Sequence, residues 1–153
     1  MAALVLLVEA LQVFRLMRAA LRPAPRLRPL DSYPSLSVIR PIKGLDADLH
    51  VNLRAALDNG YMGPIETIFV LDHEREPALP LVLEAIREHN ASGRPGRARV
   101  IFSGEPPPGR TGKLHAMIAG MRDANGELVA FADSDIRPGP DGLNAVVEAL
   151  VCS

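Results

Sequence analysis

One cysteine, Cys152, and no tryptophan are the plainest deficits of this chain. A single thiol excludes an internal disulfide framework and a cysteine-only metal site, and it points to a reducing compartment. Charge of one sign is also missing: 17 basic and 18 acidic residues leave a formal net charge of -1. That balance gives no electrostatic reason to expect a nucleic acid as partner. No internal sequence repeat is visible. What remains is an ordinary globular composition, 48% hydrophobic and 23% charged over 153 residues, enough for one domain with a hydrophobic core.

The longest apolar stretch runs over residues 2–21, interrupted by Glu9, Gln12, Arg15 and Arg18. About 20 apolar residues cross a bilayer as a helix, and Glu9 would sit near the middle of such a span. A transmembrane helix, a helix lying in the interface and a signal peptide are the competing readings. The arginines follow the apolar run, which is the reverse of a signal peptide. Their excess on that side predicts a cytosolic location for the rest of the chain. Residues 1–22 are therefore expected to be a hydrophobic, membrane-associated helix, with an ordinary packed helix as the alternative. Residues 23–34 read as a Pro/Arg-rich linker.

From residue 35 to 153 the pattern alternates between strand and helix. Strands are expected at 35–40 (SLSVIR), 66–71 (ETIFVL), 99–103 (RVIFS) and 127–132 (ELVAFA). Helices are expected at 47–58, 77–89, 113–124 and 142–151, with Asn59-Gly60 and Asn125-Gly126 as stops and Pro77 in a first turn. Near-continuous apolar strands joined by helices imply an α/β fold: a Rossmann-like, mostly parallel sheet with helices on both faces. Ligands of such sheets bind beyond the carboxyl ends of the strands. The unusual residues of this sequence fall there.

Asp133-Ser134-Asp135 follows the fourth strand. Two carboxylates one residue apart can share a hard divalent cation and leave positions for phosphate oxygens; a solvated turn is the alternative. Asp72 follows the second strand, where an acid can accept hydrogen bonds from a nucleobase imide or a ribose. His73 beside it reads as a turn histidine. Gly109-Arg110-Thr111-Gly112-Lys113 opens the third helix, where cations are disfavoured unless an anion joins them. A diphosphate would resolve that conflict; a flexible loop with solvated charges is the alternative, and the spacing is not that of a P-loop. The first strand runs into Pro41, which turns the chain out of the sheet, and Lys43, which can reach a phosphate or remain a solvated lysine.

Five stretches taken together resemble family-2-like glycosyltransferases with the GT-A fold, and among them the ceramide glucosyltransferases and their bacterial hopanoid-linked relatives. They are SVIRPIKG (37–44), NLRAALDNGY (52–61), VLDHEREPA (70–78), GKLHAM (112–117) and FADSDIRP (131–138), and the resemblance as a whole extends over about residues 34–150. It implies the N-terminal part of a GT-A fold and a hexosyl transfer from a UDP-sugar to a lipid acceptor, with inversion. Asp72 matches the aspartate that contacts uridine. Asp133 and Asp135 match the Asp-x-Asp region that holds the sugar diphosphate through Mg²⁺ or Mn²⁺, and Lys113 matches a lysine near that diphosphate. Pro41 and Lys43 fall in the nucleotide-sugar-binding set. The family pattern also has an aspartate general base and a Gln/Arg-x-x-Arg-Trp segment. Neither is present, and His115 stands where relatives often carry asparagine. The resemblance thus implies the donor-binding part of a membrane enzyme, with the general base expected beyond Ser153. Two other readings stay open: a non-catalytic Mg²⁺- or phosphate-binding α/β module, and a membrane-tethered remnant without function.

Overall fold

The computed structural model describes residues 28–152; the expected hydrophobic helix and residues 23–27 of the linker lie outside them. Four strands form one sheet: β1 (Leu36–Pro41), β2 (Ile65–Leu71), β3 (Arg97–Phe102) and β4 (Leu128–Phe131). Their order is β3-β2-β1-β4, with every neighbouring pair parallel. Helices α1 (Leu49–Leu57), α2 (Leu79–Ala91), α3 (Gly112–Asp123) and α4 (Gly142–Val151) alternate with the strands.

The two inner strands carry the β-branched and aromatic runs because both of their faces are covered. Ile39, Ile68, Phe69, Val70 and Leu71 are fully buried, and each such side chain contributes about 1.5–3 kcal/mol. Alternation along the strands divides this apolar surface between two layers. Phe69 and Leu71 pack with Leu49, Leu53 and Leu57 of α1 and Val82 of α2. Leu36 and Val38 pack with Val147 of α4. Ile39, Ile68 and Val70 face the other way, onto Ala116 of α3. Helices therefore cover both faces, α3 on one and α1, α2 and α4 on the other.

Two glycines set close approaches. At Gly120 of α3 an added Cβ would lie 2.4 Å from Cγ2 of Ile39, so the helix rests directly on β1. Gly60 has φ +65°, and a Cβ there would meet the Pro140 carbonyl oxygen at 2.2 Å. Asn144 fastens that junction from α4, donating to the Gly60 carbonyl (3.0 Å) and accepting from the Met62 amide (3.0 Å).

Element edges differ from expectation by one or two residues, and one capping assignment changes. The proline in the first turn of α2 is Pro80, with Ala78 as N-cap; Pro77 precedes the helix. Buried Glu76 explains the shift: its carboxylate accepts from the Gly44 amide (2.7 Å), which holds this segment against the turn after β1.

The chain runs from β1 outward through β2 and β3, then returns to place β4 on the other side of β1. Connections leave in opposite directions at the β1/β4 boundary, and this opens a crevice at the carboxyl ends of those strands.

Candidate donor-binding site

A cavity of about 280 Å³ occupies that crevice. Pro41 and Lys43 reach it from the end of β1, Asp72 from β2, Lys113 from the first turn of α3, and Asp133 and Asp135 from the segment after β4. Residues dispersed over most of the chain thus meet on one rim. Larger open grooves lie elsewhere. One of about 610 Å³ runs between α1 and α2, but its charges are matched as the Arg54–Glu88 and Arg94–Asp58 pairs. Another of about 870 Å³ is at the amino ends of the strands, away from the crevice.

Two ion pairs cross the cavity. Lys43 Nζ lies 2.9 Å from Asp72 Oδ2, and Lys113 Nζ lies 2.6 Å from Asp133 Oδ1. Asp72 holds the Lys43 ammonium above the ordinary lysine value, through their hydrogen bond and then its charge. The lysines are well exposed, so each pair is weak and exchanges readily. Thr111 caps α3, its Oγ1 accepting from the Leu114 amide at 3.3 Å. The anion that joins the cationic helix start in this structure is the Asp133 carboxylate.

Sequence reasoning overlooked two contributors. Asp46, in the turn after β1, lines the cavity, with Ser134 Oγ 3.5 Å from its Oδ2. Its signal was an acid two residues past the turn glycine Gly44. The other is Arg40, hidden in a strand and read only as part of an apolar run. Arg40 is buried beneath the acidic segment, and its Nη2 donates to the Ile136 carbonyl at 2.6 Å. Burial lowers its basicity, while the charges of Asp133 and Asp135 oppose that fall. His73 is a turn residue, its Nδ1 accepting from the Arg75 amide at 3.1 Å. His115 bridges the Ser103 carbonyl (Nε2, 2.9 Å) and Arg110 (Nδ1, 3.4 Å) outside the cavity.

The lining holds four aspartates against two lysines, a formal excess of two negative charges. That excess and the hard oxygens of Asp133 and Asp135 suit a divalent cation. Among the described residues no cluster of three or more metal-ligating side chains forms a closed cage. Two protein carboxylates, with other positions left to phosphate oxygens and water, is how Mg²⁺ is usually held. The residues present fit such an ion.

Residues 1–152 match the family described as Glycosyl transferase family 21. The chain belongs to that family. It is 32% identical over 118 residues to ceramide glucosyltransferase 1 of Caenorhabditis elegans, which covers 77% of this chain and 24% of the relative. Ceramide glucosyltransferase of Pyricularia oryzae is 26% identical, covering 87% of this chain and 30% of its own. This family 21 chain therefore spans less than a third of the length of those curated relatives. Among solved structures it is similar to a mannosyltransferase from Pyrobaculum calidifontis in complex with GDP-Man and Mn²⁺ (TM-score 0.64, 21% identity, 92% of this chain and 39% of the other). A mycobacterial protein gives a TM-score of 0.53 at 21% identity, covering 77% and 37%. These likenesses establish a GT-A-like fold for the family 21 chain, as the sequence resemblance implies.

Proposed function

We propose that this chain is the donor-binding part of an inverting, metal-dependent hexosyltransferase that moves a sugar from a UDP-sugar to a lipid acceptor such as ceramide or a hopanoid. The supporting observation is the meeting of Asp72, Lys113, Asp133 and Asp135 in one cavity at the β1/β4 crevice. Family membership and the solved neighbour bound to a sugar nucleotide and Mn²⁺ agree with it.

In this reading Asp133 and Asp135 hold Mg²⁺ or Mn²⁺, and the ion supplies neutralisation of charge on the leaving diphosphate. Lys113 leaves Asp133 for a diphosphate oxygen, a change that weakens no strong bond because the existing pair is exposed. Lys43 is placed to do the same, which frees Asp72 to accept from the uracil imide or the ribose. Pro41 stays in β1, paired with Val70, with the Ile42 amide still donating to the Val70 carbonyl (2.9 Å), so the expected turn out of the sheet comes later; Pro41 lines the cavity on the nucleotide side of this reading. The lysines then stabilise the negative charge that grows as the glycosidic bond to phosphate breaks. The reading assigns donor binding, not proton removal, to these residues.

The same reading assigns residues 1–22 to a membrane-associated helix, 23–34 to a linker, and 35–153 to the nucleotide-sugar-binding half on the cytosolic side. Among the described residues no helix is long and apolar enough to cross a membrane. Thermal unfolding of the chain with UDP, UDP-sugars, GDP and inorganic phosphate, each with Mn²⁺ or EDTA, tests the donor assignment. Stabilisation by UDP compounds that needs Mn²⁺ is the expected result. Equal stabilisation by every phosphate would favour a non-specific phosphate module, and none at all would favour the remnant.

A further inference from the structure

Arg40 is 1% exposed, and its Nε and Nη1 have no hydrogen-bond partner. A guanidinium left partly unsatisfied in a protein interior is strongly unfavourable unless something compensates it. Here the compensation comes from above. The charges of Asp133 and Asp135 act on it favourably, and Nη2 donates to Ile136 O, the carbonyl next in the chain after Asp135. The same segment is fastened at its far side by Arg137, which donates to the buried side chain of Asn52 and, through Nη2, to Asp48 (3.0 Å). Its near end is pinned by the Ala132 amide, which donates to the Ile39 carbonyl at 3.0 Å. Between those anchors the Ile136 amide closes a turn onto the Asp133 carbonyl (3.3 Å), and the Arg40 bond ties that turn to β1 from behind the acids.

Resting on the metal-site reading above, we infer that Arg40 is a positioning residue for that site. Its bond to Ile136 O fixes the backbone after Asp135, so that Asp133 and Asp135 present their carboxylates together. Its buried charge offsets the repulsion between them. The two roles affect cation affinity in opposite senses. A nearby positive charge alone weakens divalent cation binding, so its removal would tighten binding. Loss of the anchor lets the acids separate and weakens binding. Positioning is the dominant role, because without Arg40 the turn that carries both acids loses its tie to β1.

Electron paramagnetic resonance of free Mn²⁺, titrated with the full chain and saturating UDP, measures this without any turnover. Arg40→Met is expected to weaken Mn²⁺ binding by about tenfold or more, the usual effect of removing a group that orients a metal ligand. Arg40→Lys, which keeps the charge and one donor, is expected to fall between Arg40→Met and wild type. Arg40→Gln, too short to reach Ile136, carries the same expectation as Arg40→Met if that variant does not fold. Mn²⁺ affinity in Arg40→Met or Arg40→Gln equal to or tighter than wild type would overturn the inference, even if thermal stability falls. A wild-type chain that folds but binds no Mn²⁺ with UDP would overturn the metal-site reading itself, and this inference with it.

Discussion

Lys113, in the first turn of α3, and Asp133, just past β4, are joined at 2.6 Å across the mouth of the crevice. A cation and an anion that a metal-bridged diphosphate would separate thus hold each other in this structure. The consequence is an opposite effect of one substitution on two ligands. Lys113→Met removes a competitor for Asp133, so Mn²⁺ alone is expected to bind tighter. It also removes a charged hydrogen bond, of about 1.5–3 kcal/mol, so UDP with Mn²⁺ is expected to bind about tenfold weaker or worse. Calorimetric titration of both ligands checks the two signs.

Gly120 allows α3 to lie on β1, with Ile39 Cγ2 at 2.4 Å and Val70 Cγ2 at 3.2 Å from an added Cβ. Gly120→Ala is expected to destabilise the fold by about 1–3 kcal/mol through overpacking, despite alanine's better helix propensity. Gly139→Ala, where a Cβ meets nothing within 4 Å, is the control and is expected to stay within about 0.5 kcal/mol. Urea denaturation separates them.

Glu66 ties the amino end of the sheet to the exit of α3. Its Oε1 accepts from Ser37 Oγ (2.6 Å) and the Asn125 amide (2.7 Å), and Oε2 accepts from Arg99 Nε (3.3 Å). Burial would raise its pKa, but the Ser37 and Asn125 bonds and the Arg99 charge outweigh it, and the value lies below the ordinary carboxylate range. A depressed folded value means stability that is present above the unfolded carboxylate pKa and lost as pH falls through the folded one. Stability measured from pH 7 down to pH 3 is expected to drop on the acid side. Glu66→Gln is expected to be less stable at pH 7 and to show a shallower acid loss; an unchanged slope would rule Glu66 out as the cause.

The alternation of apolar runs and helices was enough to read a parallel α/β fold from the sequence, because β1 and β2 are covered on both faces and so lack a polar stripe. Asp72, Lys113, Asp133 and Asp135 were legible as odd residues at strand and helix ends, where parallel sheets bind ligands. Their meeting in one cavity needed the strand order, since β4 pairs with β1 rather than β3. Arg40 was not legible: one cation in SLSVIR looks like a strand residue turned to solvent, and only Ile136, far along the chain, shows that it points inward. The proline assignment of α2 failed for a similar reason, since both Pro77 and Pro80 satisfy local rules and the distant Glu76–Gly44 bond decides between them. Local chemistry is written locally; partners across the sheet are not.

The account stands on a metal ion being shared between the acids after β4 and a diphosphate. Calorimetry of UDP binding with Mn²⁺ and with EDTA, on the wild-type chain and Asp135→Asn, tests it most directly. The account expects Mn²⁺ to strengthen UDP binding by about tenfold or more in the wild type, a coupling of ordinary size between two sites, and to have little effect in Asp135→Asn. UDP affinity that is the same in EDTA, or a Mn²⁺ effect that survives in Asp135→Asn, would contradict it.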